Sequence, residues 1–81
     1  MITSSQIKAA RAMTGLTVRA FAEKAGIAFS TMVRLESAAD EIPAGNIETL
    51  KKLKKTFESM GLEFIGTVDS GAGVRWMPKK Y

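Results

Sequence analysis

The stretch TVRAFAEKAGIAFSTMVRLE, Thr17–Glu36, decides how this chain is read. Thr17 is a candidate N-cap, and Val18, Phe21, Ala22 and Ala25 then recur on one helical face. Gly26 can take the left-handed conformation that stops a helix and turns the chain. The spacing predicts a helix over Val18–Ala25 and another from after Ala28 to about Ser37, with Met32 and Leu35 on its apolar side. Ala22 is small where two such helices would cross closely. Phe21, Ala25, Ile27, Met32 and Leu35 are apolar where the helices would face each other and the core. Two short helices about a tight turn can place the second in the major groove of duplex DNA.

Working outward, the same reasoning finds more helix. Ser4-Ser5 precedes Ile7, Ala10 and Met13, with Ala9 and Ala12 beside them. A serine-capped helix is predicted over Ser5–Thr14, closed by Gly15. Ala38–Gly45, AADEIPAG, reads as a loop, because Pro43 lacks an N–H and biases Ile42 away from the helical region. Asn46 is the candidate cap of a fourth helix, with Glu48 in its favourable first turn. Ile47, Leu50, Leu53, Phe57 and Met60 recur at three to four residues, while Lys51, Lys52, Lys54, Lys55 and Glu58 fill the other faces. This is the clearest amphipathic pattern in the chain, and Gly61 ends it. After Gly61 the period changes. LEFIGTV (62–68) and GVRWMP (73–78) are rich in β-branched and aromatic residues around Asp69-Ser70-Gly71-Ala72, which predicts a hairpin. Pro78-Lys79-Lys80-Tyr81 reads as a loose basic tail.

Composition narrows the functions. At 81 residues the chain is read as one domain with a modest core, for which a dimer partner would help. It has no cysteine and no histidine. Disulfides, thiolate sites, the usual general base and the usual zinc ligand are therefore excluded. No catalytic residues, metal site or cofactor are expected, and the chain is not read as an enzyme. The net charge of +4 is compatible with a polyanionic partner, and equally with simple solubility. The opening MITSSQIKAARAM has no signal-peptide pattern, and no apolar run approaches the roughly 20 residues that span a bilayer. A cytoplasmic protein with no membrane association is expected.

The small residue, the glycine and the five apolar positions in Thr17–Glu36 are also the pattern of a known family. The chain resembles the lambda-repressor/Cro-like helix-turn-helix domains of phage and bacterial regulators, the Xre-like group. The resemblance covers about Ser5–Gly61, through IKAARAMTGLT, AFAEKAGIAFSTMVRLE and IETLKKLKKTFESMGLEFI. The end, with Gly61-Leu62-Glu63-Phe64-Ile65 and Gly73-Val74-Arg75, is similar to small regulators whose last helix runs into a hairpin. The fold so implied is mainly α: a four-helix lambda-repressor-like helix-turn-helix domain, residues 1–61, then a C-terminal β-hairpin with a basic tail, residues 62–81.

The resemblance implies roles. Phe29, Ser30, Thr31 and Arg34, at the start of the third helix, are the expected readers of base edges. Arg34 can donate two hydrogen bonds to guanine, Ser30 and Thr31 can reach a base or a phosphate, and Phe29 can lie against a thymine methyl. Backbone contacts are expected from Thr17, Val18 and Arg19 at a helix N-terminus, and from Ser37. In the family, an arginine placed like Arg11 commonly pairs with a glutamate placed like Glu36. Arg11 could instead touch a phosphate, and Phe29 could instead be a core residue. The lysines of the fourth helix read as a solvated face or as a DNA contact. Two departures stand out. Ala28 cannot cap the third helix as the family's Ser or Thr does, and Ala38 stands where Gly is common.

Partners follow from these roles. Double-stranded DNA is the expected ligand, read by a homodimer on a palindrome. Leu62, Phe64, Ile65, Val74, Trp76 and Met77 are the expected dimer contacts, because an open strand edge invites pairing. The leading expectation is a transcriptional regulator acting as a repressor. The alternative is an antitoxin-type protein that binds its own operator and a toxin partner.

Overall fold

Each helix boundary is set by a few local residues. Thr3, not a serine, caps α1 (Ser4–Thr14): its Oγ1 accepts from Gln6 N, and the Gln6 side chain accepts from Thr3 N at 2.8 Å. This is the reciprocal capping box, in which a glutamine three residues on returns the bond. The expected serine cap is thus displaced by one position, and Ser4 begins the helix. Thr17 caps α2 (Val18–Ala25) by accepting from Ala20 N at 3.0 Å, and Gly26 closes it at φ 72°. α3 (Phe29–Glu36) follows without a side-chain cap at Ala28. Ala28 O still accepts from Met32 N, so the first turn forms.

This computed structural model describes residues 2–37, 47–67 and 69–77. The expected loop Ala38–Gly45, the Asn46 cap and the tail Pro78–Tyr81 lie outside the described residues. α4 (Ile47–Ser59) leads into an antiparallel hairpin of β1 (Leu62–Thr67) and β2 (Ser70–Trp76). Four helices followed by a two-stranded hairpin is the order the sequence predicts.

The core gathers one face of every helix. Ile7 and Ala10 of α1 meet Phe21, Ala22 and Ala25 of α2, Met32 and Leu35 of α3, Leu53 and Phe57 of α4, and Leu62 of β1. Phe57 is the junction. Its ring stacks on Phe21 at 4.1 Å and 15°, and Phe64 meets it edge-on at 5.6 Å. Such pairs add roughly 0.5–1.5 kcal/mol each beyond the area they bury. Two expected core residues lie outside. Met13 is exposed, whereas Gln6, seven residues earlier on the same side of α1, is buried under the hairpin. Ile47 opens α4 and is exposed too.

The hairpin is longer and more tightly joined than the spacing predicts. Asp69–Ala72 is expected as loop, yet Ser70–Ala72 are strand, because Gly66 forms a bulge that lets Thr67 pair with Ser70 and Gly71. Gly66 has φ 73°, and a Cβ there would sit 2.2 Å from Gly71 O. Only glycine meets both demands.

Gln6 then fastens the hairpin to α1. Its Nε2 donates to Ile65 O at 3.1 Å and to Gly73 O at 2.9 Å. Met77 N also donates to Gly61 O at 2.6 Å, and Leu62 lies in the common core. Helices and hairpin therefore share one interior across Gly61. Among the described residues no helix is long and apolar enough to cross a membrane.

Candidate nucleic-acid interface

α3 has two faces of different chemistry. Met32 and Leu35 are fully buried against α1 and α2. At roughly 100° per residue, Phe29, Val33, Ser37, Ser30 and Arg34 occupy the opposite arc. All of these are exposed. Thr31 falls beside Leu35 instead and is half-buried, so of the four expected base readers it is the one turned toward the interior. The sequence reading passed over Val33. Its place four residues after Phe29 was the available signal, since such pairs share a face.

The open face is held by an ion pair behind it. Arg11 Nε donates to Glu36 Oε2 at 2.7 Å, and Nη2 donates to Glu36 Oε1 at 3.0 Å. Arg11 Nη1 also donates to Leu16 O at 3.0 Å. The side chains are only 19% and 8% exposed. A two-pronged, charge-assisted contact fixes direction as well as distance. It ties the end of α3 to α1 and to the turn before α2. Of the two readings of Arg11, the structural pair is the one formed.

The start of α2 lies alongside. Thr17 Oγ1 caps by accepting and can still donate its hydroxyl proton, while Val18 packs against the core, so the expected backbone contacts there come down to the Thr17 hydroxyl and main-chain N–H groups. Arg19 is exposed, and the flat face of its guanidinium is engaged by a neighbour. Its Cζ lies 4.1 Å from the centroid of the Phe29 ring. The stack answers the question of Phe29: it is 41% exposed and covers a cation, and is not a core residue. Ser37 closes α3, and its hydroxyl donates back to Val33 O. The lysines of α4 are exposed, on an element that packs mainly against β1 and α2.

The hairpin residues expected at a dimer interface divide into separate groups. Leu62 is a correction: it is 2% exposed inside its own chain and has no surface to offer a second copy. Directly paired residues share a sheet face. Phe64 pairs with Val74, both are half-buried against the core, and Phe64 meets Phe57. Ile65, Trp76 and Met77 remain, at 39%, 52% and 56% exposure, with Trp76 on the face of its partner Leu62 and Ile65 on the opposite face with Glu63. Trp76 Nε1 is anchored to Met60 O at 3.4 Å. Glu63 and Arg75 pair across the strands on the outer face.

The chain matches no protein-family model, no curated protein and no solved structure. Its functional reading therefore rests on the residues themselves.

Proposed function

We propose that this chain is a sequence-specific DNA-binding regulator of the Xre-like helix-turn-helix kind, with α3 entering the major groove. The supporting observation is the outward face of α3. It presents Phe29, Ser30, Val33, Arg34 and Ser37, and the one carboxylate of the helix, Glu36, is largely buried in the Arg11 pair that braces it. Arg34 is the donor for a guanine edge, and Ser30 reaches a base or a phosphate. Arg19 and the N–H groups at the start of α2 supply phosphate contacts that set register. The chain works as a cytoplasmic homodimer on a palindromic operator, acting as a repressor. Its two-fold contact runs through Trp76 and Met77 of the hairpin.

Fluorescence anisotropy with duplex DNA tests this reading. Affinity should fall steeply with salt. For four neutralised phosphates, two per protomer, a fourfold rise in salt weakens binding by roughly a hundredfold. Negligible affinity for duplex at low salt, with no dependence on salt, refutes it. The exposed Trp76 and Met77 also support a second reading, an operator-binding antitoxin whose hairpin holds a toxin. Co-purification of a second protein with the tagged chain separates the two.

A further inference from the structure

The outward face of α3 contains an apolar pair for which hydrogen-bonded base reading has no use. Phe29 and Val33 lie one turn apart, and both are exposed. Residues so spaced have Cβ atoms about 5–6 Å apart, which spans one to two base-pair steps of a duplex. What surrounds them is cationic. Arg19 stacks on the Phe29 ring, Arg34 follows Val33 directly, and the helix's one carboxylate, Glu36, is only 8% exposed and is paired with Arg11. A partner for this surface is polyanionic and yet offers small apolar groups at a regular short spacing. In the major groove only the C5-methyl of thymine meets that description.

We propose that Phe29 and Val33 together read the methyl groups of two neighbouring thymines. Phe29 acts in a further way, holding the Arg19 guanidinium over its ring so that the cation is set toward the adjoining phosphate. This deepens the DNA-binding reading and rests on it. The operator half-site accordingly contains a thymine pair beside the guanine that Arg34 contacts. Val33 is the specificity-determining residue here, and Phe29 is both a reader and the positioning residue for Arg19.

The experiment removes the methyls alone. A duplex selected from a random library is remade with deoxyuridine for thymine at the positions facing α3. Each replacement deletes one methyl and keeps every hydrogen-bonding group. Affinity should fall about fourfold for one methyl and about fifteenfold for two. Val33→Ala should reduce the thymine-to-uracil ratio to that of a single methyl. Adding Phe29→Ala should bring the two duplexes to equal affinity. Arg34→Ala should weaken binding to both and leave the ratio unchanged. All three side chains are exposed, and unchanged thermal unfolding shows that each variant keeps its fold. Equal affinity of the unaltered protein for the thymine and uracil duplexes, or a selected half-site without thymine, overturns the methyl pair and leaves DNA binding standing. Failure to select any duplex, with binding that ignores salt, overturns both.

Discussion

Replacing Gln6 tests how the hairpin is held. Its side chain makes three hydrogen bonds: it accepts from Thr3 N and donates to Ile65 O and Gly73 O. Gln6→Leu keeps the volume and removes all three. At about 1 kcal/mol net per bond, with some added cost for carbonyls left dry, the loss comes to about 3–4 kcal/mol. A domain of this size is stable by roughly 4–12 kcal/mol, so the variant loses a large fraction of the total. With about 4–8 °C per kcal/mol, its Tm falls by about 12–32 °C.

Thr3→Ala is the control, because it removes only the cap and costs about 1 kcal/mol. Gln6→Glu adds a sign. Its carboxylate would face two carbonyl oxygens, so only the protonated acid can donate, through its one O–H, to either of them. The folded-state pKa is raised above the unfolded value of about 4.3. The contribution is fully present below that value and is lost as pH rises through the folded pKa. Gln6→Glu should therefore unfold more easily at neutral pH than at pH near 4, relative to the unaltered chain at the same two values. Circular dichroism melts read all of this. A Gln6→Leu protein that melts with the parent refutes the bridge.

Further outcomes follow from the same geometry. Arg11→Met or Glu36→Gln alone should cost about 2–4 kcal/mol, because each leaves a largely buried charge without its partner, and the double variant should cost less than the sum in urea titrations. Gly66→Ala should cost more than the roughly 1–2 kcal/mol of a left-handed alanine, because its Cβ also meets backbone; Gly26→Ala, with open space around it, should cost only that amount by the same melts. Ser4 Oγ is buried with no hydrogen-bond partner among the described residues, so Ser4→Ala should raise Tm slightly, by about 1 kcal/mol of stability. Arg34→Ala should lower affinity for a selected duplex by about 1–3 kcal/mol and leave unfolding unchanged, as read by anisotropy beside a melt.

The helices were legible where local chemistry sets them. Thr17 and Gly26 bracket α2 at the expected residues, since a cap and a left-handed glycine act within one turn. The apolar positions Phe21, Met32, Leu35, Leu53 and Phe57 were legible because burial follows the helical period. Thr3 was obscured by the two serines after it, though a glutamine three residues on marks the capping threonine. Contacts distant in sequence were harder. Gln6 is one polar residue near a helix start, and nothing in its neighbourhood points to carbonyls at Ile65 and Gly73. Leu62 was grouped with the dimer contacts because an open strand edge invites pairing, and an open edge does not say which strand residues meet the helices. The Arg11–Glu36 pair was legible only through resemblance, since the two residues lie far apart in the chain.

The bracing of the hairpin bears on how a dimer could work. On sequence alone, deleting Leu62–Tyr81 is expected to weaken operator binding far more than it disturbs the first three helices. The structure alters that expectation. The deletion removes Leu62 from the core, Phe64 from the edge of Phe57, and both carbonyl acceptors of Gln6. Phe57 in turn stacks on Phe21 of α2, so the loss reaches the helix that carries Arg19. Truncation should unfold the chain as well as separate a dimer, and lost DNA binding would then say nothing about the interface. Trp76→Ser with Met77→Ser is the cleaner perturbation, because both side chains are more than half exposed. The pair should keep Tm within a few degrees while shifting sedimentation toward the monomer and weakening binding to a palindrome. A half-site duplex, needing one protomer, should be bound as before. Equal losses on palindrome and half-site would place Trp76 and Met77 outside the two-fold contact.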